Sequence, residues 1–212
     1  DVLPATKTTT VGADDTSLAF LTIPAVWMCF AFFLFYAMAL SVVQSFAPEA
    51  ARQLHAVPVH LAAICLTVYM VCAAAGMVAG GFLATDPARS ERIVGIGFGL
   101  AALIALTLAL ADVPAMVVPV LFGLMGLVTG SSGPSRDLLV KRSAPDNATG
   151  RVYGVVYSGL DIGQAIAPLL IGPLMDQGRY RTVWLALVLV QGVLIVSAFR
   201  VSRVRRVARA LA

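Results

Sequence analysis

The segment from Gly150 to Asp176 constrains the fold more than any other, because it is apolar and long enough to cross a lipid bilayer. A membrane-spanning helix needs about 20 residues. Asp161 lies near the middle of the segment, which at about 1.5 Å per residue places its carboxyl group close to the bilayer centre. A charge costs at least about 2.5 kcal/mol there, so the group must be paired, hydrated or protonated. Asp161 is therefore predicted to be functional; the alternative is a structural carboxyl group satisfied by neighbouring hydroxyls or amides.

Other polar side chains recur on the same face of this predicted helix. At about 100° per residue, one stripe contains Tyr153, Tyr157, Asp161, Gln164 and Pro168. Polar stripes inside a membrane face a helix bundle or a water-filled cavity rather than lipid. Asp161 is the first candidate for binding a proton or a cation, since a carboxyl group withdrawn from water favours its protonated form. Tyr157 and Gln164 are candidates for hydrogen bonds to a small molecule.

The whole chain has the composition of an integral membrane protein. Charged residues make up 12% of the sequence, against about 25% in soluble domains. Long apolar segments occur at about 17–46, 59–84, 93–111, 115–133, 150–176 and 182–199. We therefore predict an all-α, polytopic membrane protein with six transmembrane helices.

The polar parts of the sequence define the predicted domain boundaries. Residues 1–16 are rich in Thr and Asp and are predicted to form a cytoplasmic linker. Residues 17–200 are predicted to form the six-helix transmembrane domain, and residues 201–212 a basic cytoplasmic tail. The net charge of +4 follows from the basic loops and tail of such a protein, so it does not indicate nucleic-acid binding.

The basic residues also predict the orientation in the membrane. Of the 15 Lys and Arg residues, all but Arg52, Arg179 and Arg181 fall on one side of the predicted topology. Positively charged loops remain in the cytoplasm, so both termini are predicted to be cytoplasmic, in the cell inner membrane. No Lys or Arg lies near the predicted midplane, so Asp161 has no cationic partner at its own depth.

Small residues predict close helix packing at two places. Gly150 with Gly154, and Gly159 with Gly163, form two pairs of small residues four apart on the helix that contains Asp161, and such pairs let two helix backbones approach closely. The second predicted helix ends in a run of small residues that includes Gly76 and Gly80. Close contacts with neighbouring helices are expected at both places.

Two loops resemble those of a known family. Gly81, Leu83 and Arg89 match the spacing of a cytoplasmic loop signature in major facilitator superfamily transporters, with Thr85 where an acid is usual and Asp86 one position later. The run APDNATGRVYG resembles the start of the eleventh helix in the same family. Together with the six predicted helices, the chain resembles the C-terminal half of such a transporter. The phrases PSRDLLV and SGLDIGQAIAPLLIGPLMD resemble bacterial drug-efflux members of the fosmidomycin-resistance type.

This resemblance implies an architecture and a set of gate residues. Each half of such a transporter consists of two inverted three-helix repeats, and the substrate path lies between the halves. The residues implied at the cytoplasmic gate are Asp86, Arg89, Arg136, Asp137 and Arg151. The alternative is that these charges only set the topology in solvated loops.

The predicted function is secondary active transport, with proton-coupled efflux of a small organic molecule by a half-transporter. Tyr36 and Gln44 of the first predicted helix are further candidates for binding substrate. The predicted partners are membrane lipid, a small-molecule substrate, protons and a missing N-terminal six-helix half. No cofactor or metal site is predicted. The alternatives are proton-coupled uptake of a sugar or an organic anion, and a membrane scaffold that transports nothing.

An enzyme is not predicted, although one serine motif requires examination. The run from Gly130 to Gly133 matches the Gly-x-Ser-Gly of rhomboid intramembrane proteases, which require a histidine as general base. His55 and His60 precede Ser132 and flank the turn on the opposite side of the predicted membrane, so neither can activate it. Both histidines are predicted to be surface or capping residues.

Overall fold

A computed structural model describes residues 24–83, 90–141 and 149–210. Within these ranges the chain is helical apart from short turns, and no residue lies in a β-strand. The helices are α1 (Pro24–Ser45), α2 (Ala47–Leu54), α3 (Val59–Leu83), α4 (Ser90–Leu110), α5 (Val118–Ser131), α6 (Gly133–Lys141), α7 (Thr149–Asp176) and α8 (Tyr180–Ala210). The all-α prediction is therefore confirmed for the described part of the chain, whereas residues 1–16 lie outside it.

Five of the helices are long and apolar enough to cross a membrane. The candidate spans are Val26–Ser45, Val59–Phe82, Arg92–Leu110, Tyr153–Asp176 and Tyr180–Phe199. Their mean hydropathy runs from 1.4 to 2.5, and the lowest value belongs to the span that contains Asp161. Beyond its span, α8 continues to Ala210, so the described part of the basic tail extends the last helix.

The fourth predicted helix is divided in two. A turn at Ser132 separates α5 from α6. With 14 residues, α5 is about 21 Å long, which is shorter than the roughly 30 Å of a bilayer's hydrocarbon core. Pro134 lies in the first turn of α6, where its missing N–H costs no helical hydrogen bond. Residues 135–141, which the sequence indicated as loop, are therefore helical.

The predicted turn after α1 is also a helix. Pro48 lies in the first turn of α2, and Arg52 makes two 2.7 Å hydrogen bonds to the carboxylate of Glu49 one turn earlier. Just beyond the helix, the Nε2 atom of His55 donates to the carbonyl oxygen of Leu108 at 2.9 Å. That carbonyl lies in the last turn of α4, where helix oxygens need external donors. His55 thus has the capping role expected of it.

The bundle is built from helix pairs that are distant in sequence. The most extensive contacts join α3 to α5, α1 to α7, α4 to α8 and α1 to α8. The larger hydrophobic core lies around Trp184, Phe122 and Leu108, and a smaller one lies around Phe33 and Leu194. These pairings leave a gap between α1, α3 and the α5–α6 junction, where the candidate site lies.

Candidate functional site

A cavity of about 270 Å³ opens between α1, α3 and the α5–α6 junction. Most of its wall is small or apolar. Five side chains bring polar groups to it, namely Tyr36, Gln44, Tyr69, Thr129 and Arg136. Two of the predicted binding residues, Tyr36 and Gln44, therefore meet in one cavity, and Arg136, predicted at the gate, lines the same space.

Arg136 brings a positive charge to this cavity. Its guanidinium lies 4.3 Å from the ring centroid of Tyr36 and 5.5 Å from that of Phe33, within cation–π distance of both. Its Nε atom donates to a carboxylate oxygen of Asp137 at 3.0 Å. The Arg136 side chain is only 12% exposed, whereas that of Asp137 is 54% exposed. The guanidinium of Arg136 thus lies against the rings of Tyr36 and Phe33 and pairs with the Asp137 carboxylate. The ring contacts connect α6 to α1.

Tyr69 and Thr129 form a polar pair across α3 and α5. The Thr129 hydroxyl donates to the carbonyl oxygen of Met125 at 2.8 Å, and its distance to the Gly126 carbonyl oxygen is 3.1 Å. Because its single proton is used there, its oxygen is left to accept from the Tyr69 hydroxyl, 3.4 Å away. The Tyr69 hydroxyl therefore donates to Thr129, and the Thr129 hydroxyl donates to the α5 backbone.

A smaller cavity adjoins the first one. It has about 10 Å³ of room for the centre of a water molecule, and Tyr36, Leu40, Tyr69 and Thr129 line both spaces. Gln191 of α8 lines only the smaller one. Gln191 is 2% exposed, and its buried Oε1 atom has no hydrogen-bond partner among the described residues. The cavity system thus reaches through the bundle to the last helix.

The predicted residues of α7 lie elsewhere. Asp161 and Gln164 are exposed on the surface of the bundle and line neither cavity described above. Tyr157 is 40% exposed; its ring stacks on Tyr153 at 5.7 Å and meets the edge of Phe33 at 5.4 Å. The predicted binding residues therefore divide into a cavity group on α1 and a surface stripe on α7.

A family model for the Major Facilitator Superfamily matches residues 16–211. The chain belongs to the Major Facilitator Superfamily. A search of the curated proteins finds no match. Proteins of this superfamily are multi-pass membrane proteins that act as secondary transporters, and they are generally not enzymes. The predicted resemblance is confirmed at this level.

The predicted gate residues of this major facilitator chain are only partly described. Asp86 and Arg89 lie outside the described residues. Arg151 lies in the first turn of α7, and its side chain is not among those described. Arg136 and Asp137 are adjacent in α6 and paired with each other. Among the described residues, no group of three His, Cys, Asp or Glu side chains lies close enough to hold a metal ion.

Sequence reasoning missed three polar residues that line the cavities of this major facilitator protein. Tyr69, Thr129 and Gln191 lie in apolar helices and were assigned no role. Gln191 gave the clearest signal, because a lone amide in the run LALVLVQGVLIV is costly inside a membrane unless it has a partner. Tyr69 and Thr129 gave a weaker one, since hydroxyl groups can bond to their own helix.

Proposed function

We propose that this major facilitator chain exports a small organic molecule in exchange for protons, and that the 270 Å³ cavity is its part of the substrate path. The observation that carries the proposal is the grouping of Tyr36, Gln44, Tyr69, Thr129 and Arg136 in one cavity of an otherwise apolar bundle. Binding sites for small molecules typically combine apolar walls with a few polar groups that fix orientation. Such a cavity serves a transporter, whereas a scaffold does not require one.

The charge in the cavity favours a second candidate substrate class, the organic anions. Arg136 is the cationic residue that lines the cavity, and its guanidinium can donate several hydrogen bonds in one plane to a carboxylate or a phosphonate. Asp137 already accepts one hydrogen bond from it. An anionic substrate that competes with Asp137 for Arg136 would couple substrate binding to the breaking of this ion pair, and that step is the gate role we propose for both residues.

The exposed polar stripe on α7 supports the proposal that another part of the transporter covers this face. Asp161 and Gln164 are exposed and Tyr157 is 40% exposed within a candidate span, where contact with lipid would be unfavourable. We propose that a second, N-terminal six-helix half packs over the stripe, so that Asp161 lies in the interior of the transporter. There Asp161 binds and releases the coupling proton, while Tyr157 and Gln164 bind substrate across the interface.

The helix pairing supports the proposed pair of inverted repeats. If α1, α3 and α4 form one repeat and α5, α7 and α8 form the other, then α1 corresponds to α5, α3 to α7, and α4 to α8. Under this correspondence the α3–α5 contact is equivalent to the α7–α1 contact. The α1–α8 contact is likewise equivalent to α5–α4, and α4–α8 is equivalent to itself, and all of these pairs are in contact. In this scheme α5 and α6 together form the fourth of six spans, both termini lie in the cytoplasm in keeping with the charge bias, and the protein resides in the inner membrane.

The proposal can be tested with everted membrane vesicles that contain the full-length protein and whose interior is acidified by respiration. Acridine orange reports the acidification, and ethidium, chloramphenicol and benzoate serve as cationic, neutral and anionic probes. We expect one probe to restore the fluorescence in a protein-dependent manner, which marks exchange for protons. In intact cells, an uncoupler should then raise the accumulation of the same probe, whereas for an imported compound it would lower it.

A matched pair of carboxyl variants tests the role of Asp161. Asp161→Asn should abolish the proton-coupled response, whereas Asp176→Asn, at the exposed end of the same helix, should retain it. Full coupled transport with an unchanged pH profile in Asp161→Asn would show that another group carries the proton. A response to benzoate that is lost in Arg136→Gln would favour the organic-anion class.

A further inference from the structure

Gln191 is the most isolated buried polar side chain around the cavities. It lies on α8 with 2% exposure, next to apolar residues on both sides of the chain, and it reaches the small cavity behind the main one. An amide oxygen buried without a partner is costly, so native structures nearly always supply a donor from the protein, from water or from a ligand. The Oε1 atom of Gln191 is therefore expected to accept a hydrogen bond in the native protein.

The neighbouring hydroxyls do not supply it. The Thr129 hydroxyl donates to the α5 backbone, and the Tyr69 hydroxyl is left to donate to Thr129. Tyr36, the other hydroxyl that lines the small cavity, makes no hydrogen bond to the Oε1 atom of Gln191. No donor from the described part of the chain reaches this oxygen, and the small cavity has room for the centre of a water molecule.

The shared walls connect the small cavity at Gln191 to the main cavity. Tyr36, Leu40, Tyr69 and Thr129 line both spaces, so a molecule in the larger cavity lies next to the smaller one. We propose that Gln191 forms a polar subsite of the main cavity, in which its Oε1 atom accepts one hydrogen bond from an O–H or N–H group. Water is the donor in the empty protein, and a hydroxyl or amine group of the substrate replaces it during transport. The substrate part of this inference rests on the proposed function.

Thiol labelling in the full-length protein tests access to the subsite without any transport measurement. Every native thiol, including those of Cys29, Cys65 and Cys72, is first replaced by Ala. In that background, Gln191→Cys should react with the small neutral reagent methyl methanethiosulfonate at a rate within about tenfold of Gln44→Cys in the main cavity, because only a hydrated thiol forms the reactive thiolate. Leu194→Cys is the matched control, since Leu194 is 0% exposed on the same helix and does not line either cavity. A Gln191→Cys thiol as unreactive as that of Leu194→Cys would overturn the proposal.

Transport kinetics test the hydrogen bond itself. For a transported probe that bears an O–H or N–H group, Gln191→Leu should raise KM about fivefold with little change in kcat, as expected for one neutral hydrogen bond. Gln191→Glu retains a carbonyl acceptor in its protonated form and should restore most of the affinity. A purely structural role would instead lower the amount of folded protein with no rescue by Glu, and that result contradicts the proposal.

The two measurements separate this inference from the proposed function. A reactive Gln191→Cys thiol with no transported probe supports a hydrated subsite and contradicts the transport assignment. Proton-coupled transport with an unreactive Gln191→Cys thiol and an unchanged KM in Gln191→Leu supports the transport assignment and contradicts the subsite. If Gln191→Leu fails to fold, Gln191→Asn, which shortens the amide by one methylene, replaces it in the KM measurement.

Discussion

The α3–α5 and α1–α7 helix pairs are both packed through glycine, but in different ways. Between α3 and α5, both helices contribute glycines, and each faces the backbone of the other helix: Gly126 and Gly130 face Tyr69 and Ala73, and Gly76 and Gly80 face Leu127 and Ser131. Between α1 and α7, only α7 contributes glycines, and side chains of Phe30 and Ala37 are among their neighbours. At these four glycines the first pair packs backbone against backbone, whereas the second pair also includes the Phe30 ring, which can rotate.

The largest effect is expected from filling the α3–α5 contact. A Cβ atom at Gly130 would lie 2.8 Å from both the Cα and the carbonyl carbon of Ala73, and backbone atoms cannot turn away as side chains can. Gly130→Ala should therefore destabilise the protein by about 1–3 kcal/mol, and Gly126→Ala should add a similar cost. Thermal unfolding of the detergent-solubilised protein measures the loss of stability in both variants. Since Gly130 also lines the 270 Å³ cavity, transport should fall together with stability.

Gly99→Ala is the control for this measurement. Gly99 is a helical glycine of α4, and a Cβ added there has no described atom within 4 Å beyond its own helical backbone and chain neighbours. Alanine is favoured over glycine in a helix interior by up to about 1 kcal/mol, so this variant should be as stable as the wild type or slightly more so. Equal losses in Gly130→Ala and Gly99→Ala would mean that close packing is not what makes Gly130 necessary.

A smaller loss is expected at the α1–α7 contact. A Cβ atom at Gly159 would lie 2.8 Å from the Phe30 carbonyl oxygen and 3.3 Å from a carbon of its ring. Since the ring can rotate and only one backbone atom lies closer than 3.0 Å, Gly159→Ala should cost about 1 kcal/mol, at the low end of overpacking effects. The same thermal unfolding measurement compares it with Gly130→Ala. A loss at Gly159 that equals or exceeds the loss at Gly130 would remove the distinction between the two pairs.

The sequence predicted these contacts only in part. Gly76 and Gly80 face α5, and Gly159 and Gly163 face α1, as the spacing of small residues indicated. Gly154 belongs to the same pattern, yet no atom lies within 4 Å of a Cβ placed there. Spacing tells which residues share a helix face, but the partner helix covers only part of that face. The glycines of α5 were not singled out, because nothing local distinguishes a glycine that packs from one that does not.

The site was predictable to a similar extent. Tyr36 and Gln44 were predicted as substrate-binding candidates on the first helix, and both line the cavity. Gln191 and Thr129 were missed because their importance depends on which helices meet, and those pairings join residues far apart in the sequence. The helix at residues 133–141 was missed because the predicted apolar segment ended at residue 133, just before Pro134, whereas a proline in a first turn also begins a helix.

Loss of the Arg136–Tyr36 contact, which links the two helix pairs, should lower stability by an amount between that expected at Gly130 and that expected at α2. Arg136 of α6 lies 4.3 Å from the ring centroid of Tyr36 on α1, so this contact joins the α5–α6 segment to the helix that packs on α7. Tyr36→Leu removes the ring and should cost about 0.5–2 kcal/mol in unfolding free energy, the range for a cation–π contact. Tyr36→Phe keeps the ring and should retain most of that stability. Equal losses in both variants would assign the effect to the hydroxyl group instead.

The smallest effect is expected at α2, which belongs to neither glycine-packed pair. Hydrogen bonds from Arg52 and then from Gln53 hold the pKa of Glu49 below its usual 4.5. A carboxyl group whose pKa is lowered by folding stabilises the protein above the unfolded value, and this contribution is lost as the pH falls through the lower folded value. Glu49 is 46% exposed, so solvent screens the pair and only a minor contribution remains. Glu49→Gln should therefore lower the unfolding temperature slightly at neutral pH and converge with the wild type as the pH falls through the lowered folded pKa, below which Glu49 is protonated in both states. A difference between the two proteins that persisted in acid would show that the carboxylate charge is not what stabilises α2.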